Sequence, residues 1–372
     1  MLRSARPTCI VYACSHTKHT LQVYAGLYAL HQAGHIRIRQ RLSPQDLRRR
    51  LGSLPREDDV FRRKANVLFV DVDGRLACFD LRDGADYYRQ VVDQVALYAK
   101  RSFRRSRYAA SPDKFVPLGL NYAVFLDRAT PLELAKAARQ FDMSLERCKE
   151  LAMTLARLAP PLANRLGVPT VSALSRPPQS QLEPAALFLA RTWPPEEGPR
   201  GQAFRELNDF RARCIRALRA KLGARFLGGF SRTPHARTHY PDCLADERIS
   251  TVRGDYLRLL KSYPVCVATT GLHESIGWKF GEYVALSRAI ASEPLRFELP
   301  GPIAAGDNYL EFNSPEACVD AVQRLLDDEP LRRGMMERNW AYYLEYGAPQ
   351  AMVGRVLLAT LLRTAPPDLR LA

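Results

Sequence analysis

Strand and helix patterns alternate along the first half of the chain. Short apolar runs predict strands at residues 7–14, 35–39 and 67–70. Helical spacing of apolar residues, or helical propensity, predicts helices at residues 21–33, 85–99 and 130–166. Gly34 is a predicted helix C-cap, and Pro160-Pro161 predicts a break in the third helix. Such alternation is typical of an α/β fold with a parallel sheet.

The alternation resumes after residues 169–184, a segment rich in Pro, Ser and Gln that predicts a linker. Strands are predicted at residues 186–190, 225–230, 265–269 and 294–298. Helices are predicted at residues 202–222, 253–262, 278–291, 315–326, 331–346 and 349–362. Ligands of such sheets bind outside the carboxyl ends of the strands.

These patterns predict two Rossmann-like domains that face each other across a cleft. The first domain is expected over residues 1–172, a linker over 173–184, and the second domain over 185–348. Residues 349–372 contain a final predicted helix. A length of 372 residues agrees with two domains at roughly 150 residues each.

The formal net charge of +16 defines which partners the chain would attract. An excess of this size favours polyanions such as nucleic acid, anionic lipid headgroups or phosphorylated small molecules. The same net charge would also arise from an Arg-rich surface that contacts only solvent. Hydrophobic residues make up 47% of the chain, so a sizeable core is expected rather than a disordered chain.

The eight cysteines occur singly, without zinc spacing, and several lie in apolar runs. This pattern predicts buried free thiols and a reducing compartment. The first residues lack the apolar core of a signal peptide, and no run approaches the ~20 apolar residues of a membrane span. We therefore expect a cytoplasmic protein.

A glycine-rich loop between a predicted strand and a predicted helix carries the clearest candidate chemistry. Gly271 and Gly277 bracket this loop, and the helix begins near Trp278. Glycines allow close approach to the backbone, and the N-terminus of a helix suits a pyrophosphate. Glu274 and Glu282 would each accept hydrogen bonds from a sugar diol. The same spacing also fits an ordinary loop whose glutamates face solvent.

With these two glutamates, the segment resembles the E-x7-E region of GT-B-fold glycosyltransferases of the "group 1" type. The run AALFLARTWPP, which contains Arg191, looks like the first strand of their nucleotide-binding domain, and the resemblance continues to about Leu362. KRSF and PLGLNY look like pieces of a bacterial subset of these enzymes. The resemblance implies a nucleotide-diphosphate sugar such as a UDP or GDP sugar as donor, no cofactor and no obligatory metal. It also implies a final helix that crosses back onto the first domain.

The resemblance assigns roles to residues of the second domain. Glu282 would hold the ribose hydroxyls, and Glu274 would hold the transferred sugar as a catalytic residue. The leaving diphosphate would be stabilised by a group of donors and cations, namely Arg191, Ser275, Ile276, Gly277 and Lys279. The loop sequence Glu-Ser-Ile-Gly departs from the usual Glu-Gly-Phe-Gly of the family, so the stereochemical outcome is left open.

The first domain carries candidates for acceptor chemistry. His16 and His19 follow the first predicted strand, and His16 is the predicted base for the acceptor hydroxyl if the enzyme inverts. Lys100 and Arg101 begin the basic run KRSFRRSRY and are the predicted acceptor-binding residues. The same run would also suit anionic headgroups or a solvated face.

The stretch Asp71-Val72-Asp73-Gly74 allows three interpretations. A dehalogenase-type phosphatase uses such an Asp as its nucleophile, and GT-A glycosyltransferases bind a metal with Asp-x-Asp. Asp73-Gly74 is also a favoured two-residue hairpin turn between two apolar runs. We favour the turn, because the rest of the phosphatase pattern is weak and the chain has two similar halves.

The resemblance therefore implies a metal-independent glycosyltransferase, hexosyltransferase-like, that acts on a glycan or a lipid-linked acceptor in bacterial surface polysaccharide synthesis. Peripheral contact with an anionic membrane surface is expected as well. The alternatives are a sugar-nucleotide epimerase on the same fold and a basic nucleic-acid-binding protein. No recognised nucleic-acid motif is present, so no nucleic-acid partner is expected.

Overall fold

The computed structural model describes residues 6–13, 17–52, 60–61, 65–140, 144–195, 198–247, 249 and 253–363. Its contacts divide the chain into two compact units. Unit 1 comprises Met1–Ala173, Phe297–Gly301 and Leu344–Ala372. Unit 2 comprises Leu174–Arg296 and Pro302–Tyr343. Each unit has its own sheet with helices packed on it, which confirms the predicted fold class of two Rossmann-like α/β units.

Unit 1 contains a six-stranded mixed sheet. Its strands are β1 Thr8–Tyr12, β2 Arg37–Arg41, β3 Val67–Val72, β4 Arg75–Asp80, β5 Leu97–Lys100 and β6 Phe115–Pro117. The strand order is β2-β1-β3-β4-β5-β6. Strand β3 is antiparallel to both of its neighbours, and every other neighbouring pair is parallel. The second strand begins two residues later than predicted.

The helices of unit 1 cover both faces of this sheet. They are α1 Leu21–Gln32, α2 Pro44–Leu51, α3 Arg89–Gln94, α4 Pro131–Arg139, α5 Leu145–Ala156, α6 Pro160–Arg165 and, at the end of the chain, α14 Pro349–Leu361. The short helix α7, Val171–Leu174, lies at the boundary of the two units. Alternate residues of β3 point to opposite faces. Leu68 and Val70 pack with α1 and α14, while Val67 and Phe69 pack with α2 and α3.

The Asp71–Gly74 stretch is a hairpin turn between β3 and β4, as favoured from the sequence. Asp73 and Gly74 have φ values of 47° and 86°, the positive values that a tight two-residue hairpin of this type requires. The carboxylate of Asp71 accepts hydrogen bonds from Gly74 N at 2.7 Å and from Arg50 Nη2 at 3.0 Å. Asp73 Oδ1 accepts one from Thr8 N at 2.9 Å. Both carboxylates therefore stabilise the hairpin, and the phosphatase interpretation finds no support.

The helix predicted at residues 85–99 is wrong. Helix α3 spans only Arg89–Gln94, and β5 follows at Leu97–Lys100. Strand β5 is completely buried and pairs with both β4 and β6. A short apolar run has no periodicity of its own, so pairing on both sides decides in favour of a strand.

Helix α14 packs directly against α1 because α1 has a glycine at the contact. A Cβ on Gly26 would lie 2.2 Å from Pro349 O and 2.6 Å from Val353 Cγ2. We expect Gly26→Ala to lower the free energy of unfolding by about 1–3 kcal/mol, since overpacking forces the helices apart. Chemical denaturation measures this. Gly354→Ala in α14 is the matched control, because its Cβ would lie 3.8 Å from Leu30 Cδ1, an ordinary contact. Equal stability of the two variants would contradict this packing.

Unit 2 contains a five-stranded parallel sheet. Its strands are β7 Ala186–Ala190, β8 Phe226–Phe230, β9 Val265–Ala268, β10 Ala289–Ser292 and β11 Leu310–Glu311. The strand order is β11-β10-β9-β7-β8, with every pair parallel. Counted within the unit, this is the doubly wound order 2-1-3-4-5. The order reverses between β7 and β9, and ligands of such folds bind beside the carboxyl ends of strands at this switch point.

The helices of unit 2 connect these strands. They are α8 Pro199–Leu222, α9 Pro234–His239, α10 Arg253–Leu260, α11 Trp278–Ala285, α12 Pro315–Asp327 and α13 Glu329–Tyr342. In the described part of the chain, no helix has the length and apolar character to cross a membrane. Six of the seven described cysteines are buried thiols, as the apolar runs around them predict.

The predicted helix at residues 278–291 and strand at 294–298 are both displaced. Helix α11 ends at Ala285, and the strand is Ala289–Ser292. This strand pairs with β9 and β11 and is entirely buried. Pro294 cannot donate a backbone hydrogen bond to a ladder, so a strand that starts there is disfavoured.

Candidate ligand-binding site

A hollow opens at the carboxyl ends of β9 and β10 in unit 2. Residues 269–277 form the loop after β9, and residues 293–296 follow β10. The two loops line this hollow, which has a cavity volume of about 10 Å³. Four predicted site residues line this space, namely Glu274, Ser275, Ile276 and Gly277. The hollow lies next to the switch point, where a doubly wound sheet is expected to bind its ligand.

The loop after β9 is folded tightly back on itself. Gly271 N donates to Ser275 O at 2.8 Å, and Ser275 N donates to Leu272 O at 3.1 Å. His273 and Glu274 both have φ values of 57°, in the left-handed region. Such a conformation costs a non-glycine residue about 1–2 kcal/mol. Backbone strain of this kind is typical of ligand-binding loops, so it marks this loop as a candidate site.

Glu293 joins the two loops of the hollow. Thr270 donates two hydrogen bonds to Glu293 Oε2, from its backbone N at 2.8 Å and from Oγ1 at 3.2 Å. Glu293 N donates in turn to Ala268 O at 3.2 Å. Glu293 could not be predicted from the sequence, because its partner lies 23 residues away on another loop.

Arg211 of α8 ties together the loops on both sides of the switch point. Its Nη1 donates to Arg191 O at 2.8 Å, its Nε to Thr269 Oγ1 at 2.9 Å, and its Nη2 to Thr270 O at 2.8 Å. Burial lowers the pKa of Arg211 to about 10, although Glu293 acts to raise it. Arg211 therefore stays cationic at neutral pH. Sequence reasoning missed it, since it is one of six arginines in α8.

Asn208, also in α8, holds the loop after β7. Its Nδ2 donates to Trp193 O at 2.8 Å, and its Oδ1 accepts from Trp193 N at 3.0 Å. Asn208 is fully buried. Arg191 is exposed at the carboxyl end of β7, as predicted, but its side chain does not line the hollow.

Lys279 does not line the hollow, although the sequence predicts that it binds the diphosphate. Its Nζ donates to Leu189 O in β7 and lies 5.0 Å from the ring centroid of Tyr256. The ammonium group is therefore directed at the interior of unit 2. The lysine follows the helix start by one position, and this places its side chain on the sheet-facing side of α11.

Glu282 is also displaced from its predicted role. The side chain has 0% of its surface exposed, and residues 280–285 of α11 are all buried. A carboxylate with no exposed surface is not available to ribose hydroxyls. The two glutamates of the E-x7-E pattern therefore lie in different environments. Glu274 lines the hollow, whereas Glu282 is buried in unit 2.

Lys100 and Arg101 of unit 1 are interior residues and not a surface pair for an acceptor. Lys100 Nζ lies 3.1 Å from Asp80 Oδ1, and both side chains are fully buried. Burial lowers the pKa of Lys100, while Asp80 acts to raise it. Arg101 is 5% exposed and forms an ion pair with Asp83. The predicted acceptor-binding role is therefore corrected, because both cations are buried and already pair with carboxylates of unit 1.

The predicted base His16 lies outside the described residues. His19, from the same histidine-containing loop, precedes α1 and is partly buried. Burial and Arg101 lower the pKa of His19, whereas Asp83 and a hydrogen bond with Asn121 raise it. The imidazole is thus expected to be neutral at pH 7, the form that accepts a proton.

No protein-family model and no curated protein sequence matches this chain. Solved structures are similar to it at low identity. The C-terminal domain of a glycosyl transferase group 1 family protein (LpcC) from Francisella tularensis is 10% identical, with 47% of this chain and 96% of that chain covered and a TM-score of 0.34. A putative UDP-N-acetylglucosamine 2-epimerase from Listeria monocytogenes is 12% identical, with 73% of this chain and 60% of that chain covered and a TM-score of 0.38.

TarM from S. aureus is a third similar structure. It is 11% identical, with 63% of this chain and 43% of that chain covered and a TM-score of 0.36. The chain thus spans less than two thirds of the length of the epimerase and TarM chains. The strand order and parallel connections of the chain itself carry the fold assignment.

Proposed function

We propose that this protein is a glycosyltransferase that transfers a sugar from a nucleotide-diphosphate sugar to an acceptor. The observation that carries the proposal is the hollow beside the switch point of unit 2. Its strained loop leads directly into Gly277, the N-cap of α11, which has no capping side chain. Backbone N–H groups and the positive end of a helix dipole at such a point attract a diphosphate.

The residues of the hollow suggest a division of roles. Glu274 would accept hydrogen bonds from hydroxyls of the transferred sugar. The backbone of Ser275–Gly277 would hold the diphosphate, whose negative charge grows as the glycosidic bond breaks. Arg296 is exposed and lines the hollow, so we propose it as the cation in place of Lys279. Arg191 would add a second positive charge from the end of β7.

Unit 1 would bind the acceptor. A glycan or a lipid-linked glycan of the bacterial surface fits the resemblance noted in the sequence. The reaction would need no metal and no cofactor, and exclusion of water would limit hydrolysis of the donor.

A thermal-shift panel of nucleotides and sugar nucleotides tests the proposal. UDP or GDP is expected to raise the melting temperature of the wild-type protein. In Gly277→Ala the new Cβ would lie 3.8 Å from Thr269 O, so the fold has room, but the methyl group would meet a ligand on the backbone. We expect about tenfold weaker nucleotide affinity, roughly 1.4 kcal/mol.

Gly84→Ala in unit 1 is the control, since its nearest atom would be Asp86 Oδ2 at 3.9 Å. Nucleotides should raise the melting temperature of this variant as much as they raise that of the wild type. A wild-type protein that ignores every nucleotide would refute the site, and salt-sensitive DNA binding alone would favour a nucleic-acid-binding protein. Conversion of a sugar nucleotide without any acceptor, followed by NMR, would assign an epimerase instead.

A further inference from the structure

Unit 1 carries an unusual concentration of exposed leucines. Eight large hydrophobic side chains are exposed among the described residues, and five of them fall within 22 consecutive positions, from the first residue of α5 to the residue after α6. Their exposed fractions are Leu145 71%, Leu155 48%, Leu158 56%, Leu162 46% and Leu166 62%. Isolated exposed leucines are ordinary, but a cluster marks an interaction surface.

These leucines lie along α5, the turn that follows it and α6, with Leu166 one residue beyond α6. Leu155, Leu158, Leu162 and Leu166 follow at intervals of three, four and four residues. In α5, the exposed residues Leu145, Lys149 and Ala152 lie four and three residues apart. We call the five leucines with Lys149 and Ala152 the leucine face.

The opposite side of these helices is firmly anchored. Arg157 is fully buried and donates to both carboxylate oxygens of Glu133, at 2.5 and 3.1 Å. Its guanidinium also lies 4.4 Å from the ring centroid of Phe125. The leucines therefore project from a packed element, and their exposure does not come from an unfilled core.

The exposed charged side chains that the structure describes in this part of unit 1 are of one sign. Among the side chains described between residues 127 and 166, the exposed charged ones are Arg128, Arg139, Lys149 and Arg165. Two of the described carboxylates turn inward, since Glu133 pairs with Arg157 and Glu150 pairs with Arg147 at 2.9 Å. Asp127 is half-buried and accepts a hydrogen bond from Ser172 N at 3.1 Å. Among the described side chains of this stretch, the fully exposed charged groups are therefore all cations.

We propose that the leucine face docks on an anionic lipid bilayer. Leucines would enter the boundary between headgroups and acyl chains, and the four cations would contact the lipid phosphates. The net charge of +16 adds long-range attraction to such a surface. A second copy of the chain is a poorer occupant, because two basic surfaces would repel each other. The proposal does not depend on the enzymatic activity proposed above.

Co-sedimentation of the full chain with vesicles, without any nucleotide, tests this. Vesicles of phosphatidylglycerol and phosphatidylcholine in equal parts should bind the protein at least tenfold more strongly than pure phosphatidylcholine. The double variant Leu158→Gln/Leu162→Gln should lose at least tenfold in partition to the anionic vesicles. Lys149→Glu/Arg165→Glu should lose a comparable factor, and added salt should weaken wild-type binding.

The matched control is Leu344→Gln/Leu358→Gln, which changes two leucines of similar exposure elsewhere in unit 1. It should bind anionic vesicles as the wild type does. Vesicle binding that is equal in the leucine-face variant and the wild type would overturn the proposal, as would no wild-type binding at all. A wild-type dimer that the leucine-face substitutions dissociate, seen by sedimentation equilibrium, would assign this surface to a second copy instead.

Discussion

Replacing Asp80 by asparagine is expected to lower the free energy of unfolding by about 3–5 kcal/mol, because it leaves a buried lysine without its counter-charge. Asp80 accepts hydrogen bonds from Tyr98 Oη at 2.6 Å and from Arg82 Nη2 at 2.7 Å, and its Oδ1 lies 3.1 Å from Lys100 Nζ. Burial alone would raise the pKa of Asp80, but Lys100 and Arg82 together lower it. Urea denaturation at pH 7 measures the loss.

The pH dependence of the Asp80→Asn variant provides a second measurement. The pKa of Lys100 is already lowered from 10.5 by burial, and the loss of Asp80 removes the main group that opposes this shift. The unfolded chain then binds more protons than the folded one at pH values between the lowered pKa of Lys100 in the folded variant and 10.5. Stability of the variant should therefore rise with pH, and its deficit should narrow as pH approaches 10.5.

The control for Asp80 is Asp86→Asn. Asp86 is 84% exposed and pairs with Arg107 at 3.5 Å on the surface. Such a pair contributes about 0–1 kcal/mol, so the control should change stability little. If Asp80→Asn lowered the free energy of unfolding by less than about 1 kcal/mol, Lys100 would not be stabilised by this carboxylate.

Arg211→Lys is expected to reduce the affinity for UDP or GDP by about two orders of magnitude, roughly 2.7 kcal/mol. The guanidinium reaches three acceptors on the loops after β7 and β9, and a lysine ammonium lacks this planar fork. Without these contacts, the loops that border the hollow would lose their relative position. Isothermal titration calorimetry measures the change in affinity.

Arg219→Lys is the matched control for Arg211 because it lies on the same helix. Arg219 Nη2 donates to Gly228 O and to Leu244 O, both at 2.7 Å, away from the hollow. Both substitutions should lower the melting temperature, but only Arg211→Lys should weaken nucleotide binding. An equal loss of affinity in the two variants would mean that Arg211 acts through general stability.

The hairpin shows where local residue order is sufficient. Asp73-Gly74 separates two apolar runs by two residues that tolerate positive φ, so the turn follows from the residues themselves. Strand β9, which precedes the hollow, is predictable for a similar reason. Its apolar run ends at a polar segment that contains glycines. The placement of Glu274–Gly277 at the carboxyl end of this strand followed from the same reasoning.

The errors fall where one apolar run is compatible with two structures. Residues 97–99 and 289–291 are predicted as the ends of helices, but both segments belong to buried strands. Their hydrophobic residues are consecutive, so periodicity does not separate a buried strand from a buried helix. Neighbouring strands decided each case by supplying hydrogen-bond partners for the backbone.

Residue order alone determined the alternation of strands and helices, the hairpin and the candidate loop, because these depend on side chains within a few positions of one another. Packing decided that Glu282 and Lys100 are interior, that Arg211 holds the switch-point loops, and that the leucine face is exposed. These features depend on which side of a helix or strand meets another element. Burial and contacts between residues tens of positions apart arise only when the whole chain has folded.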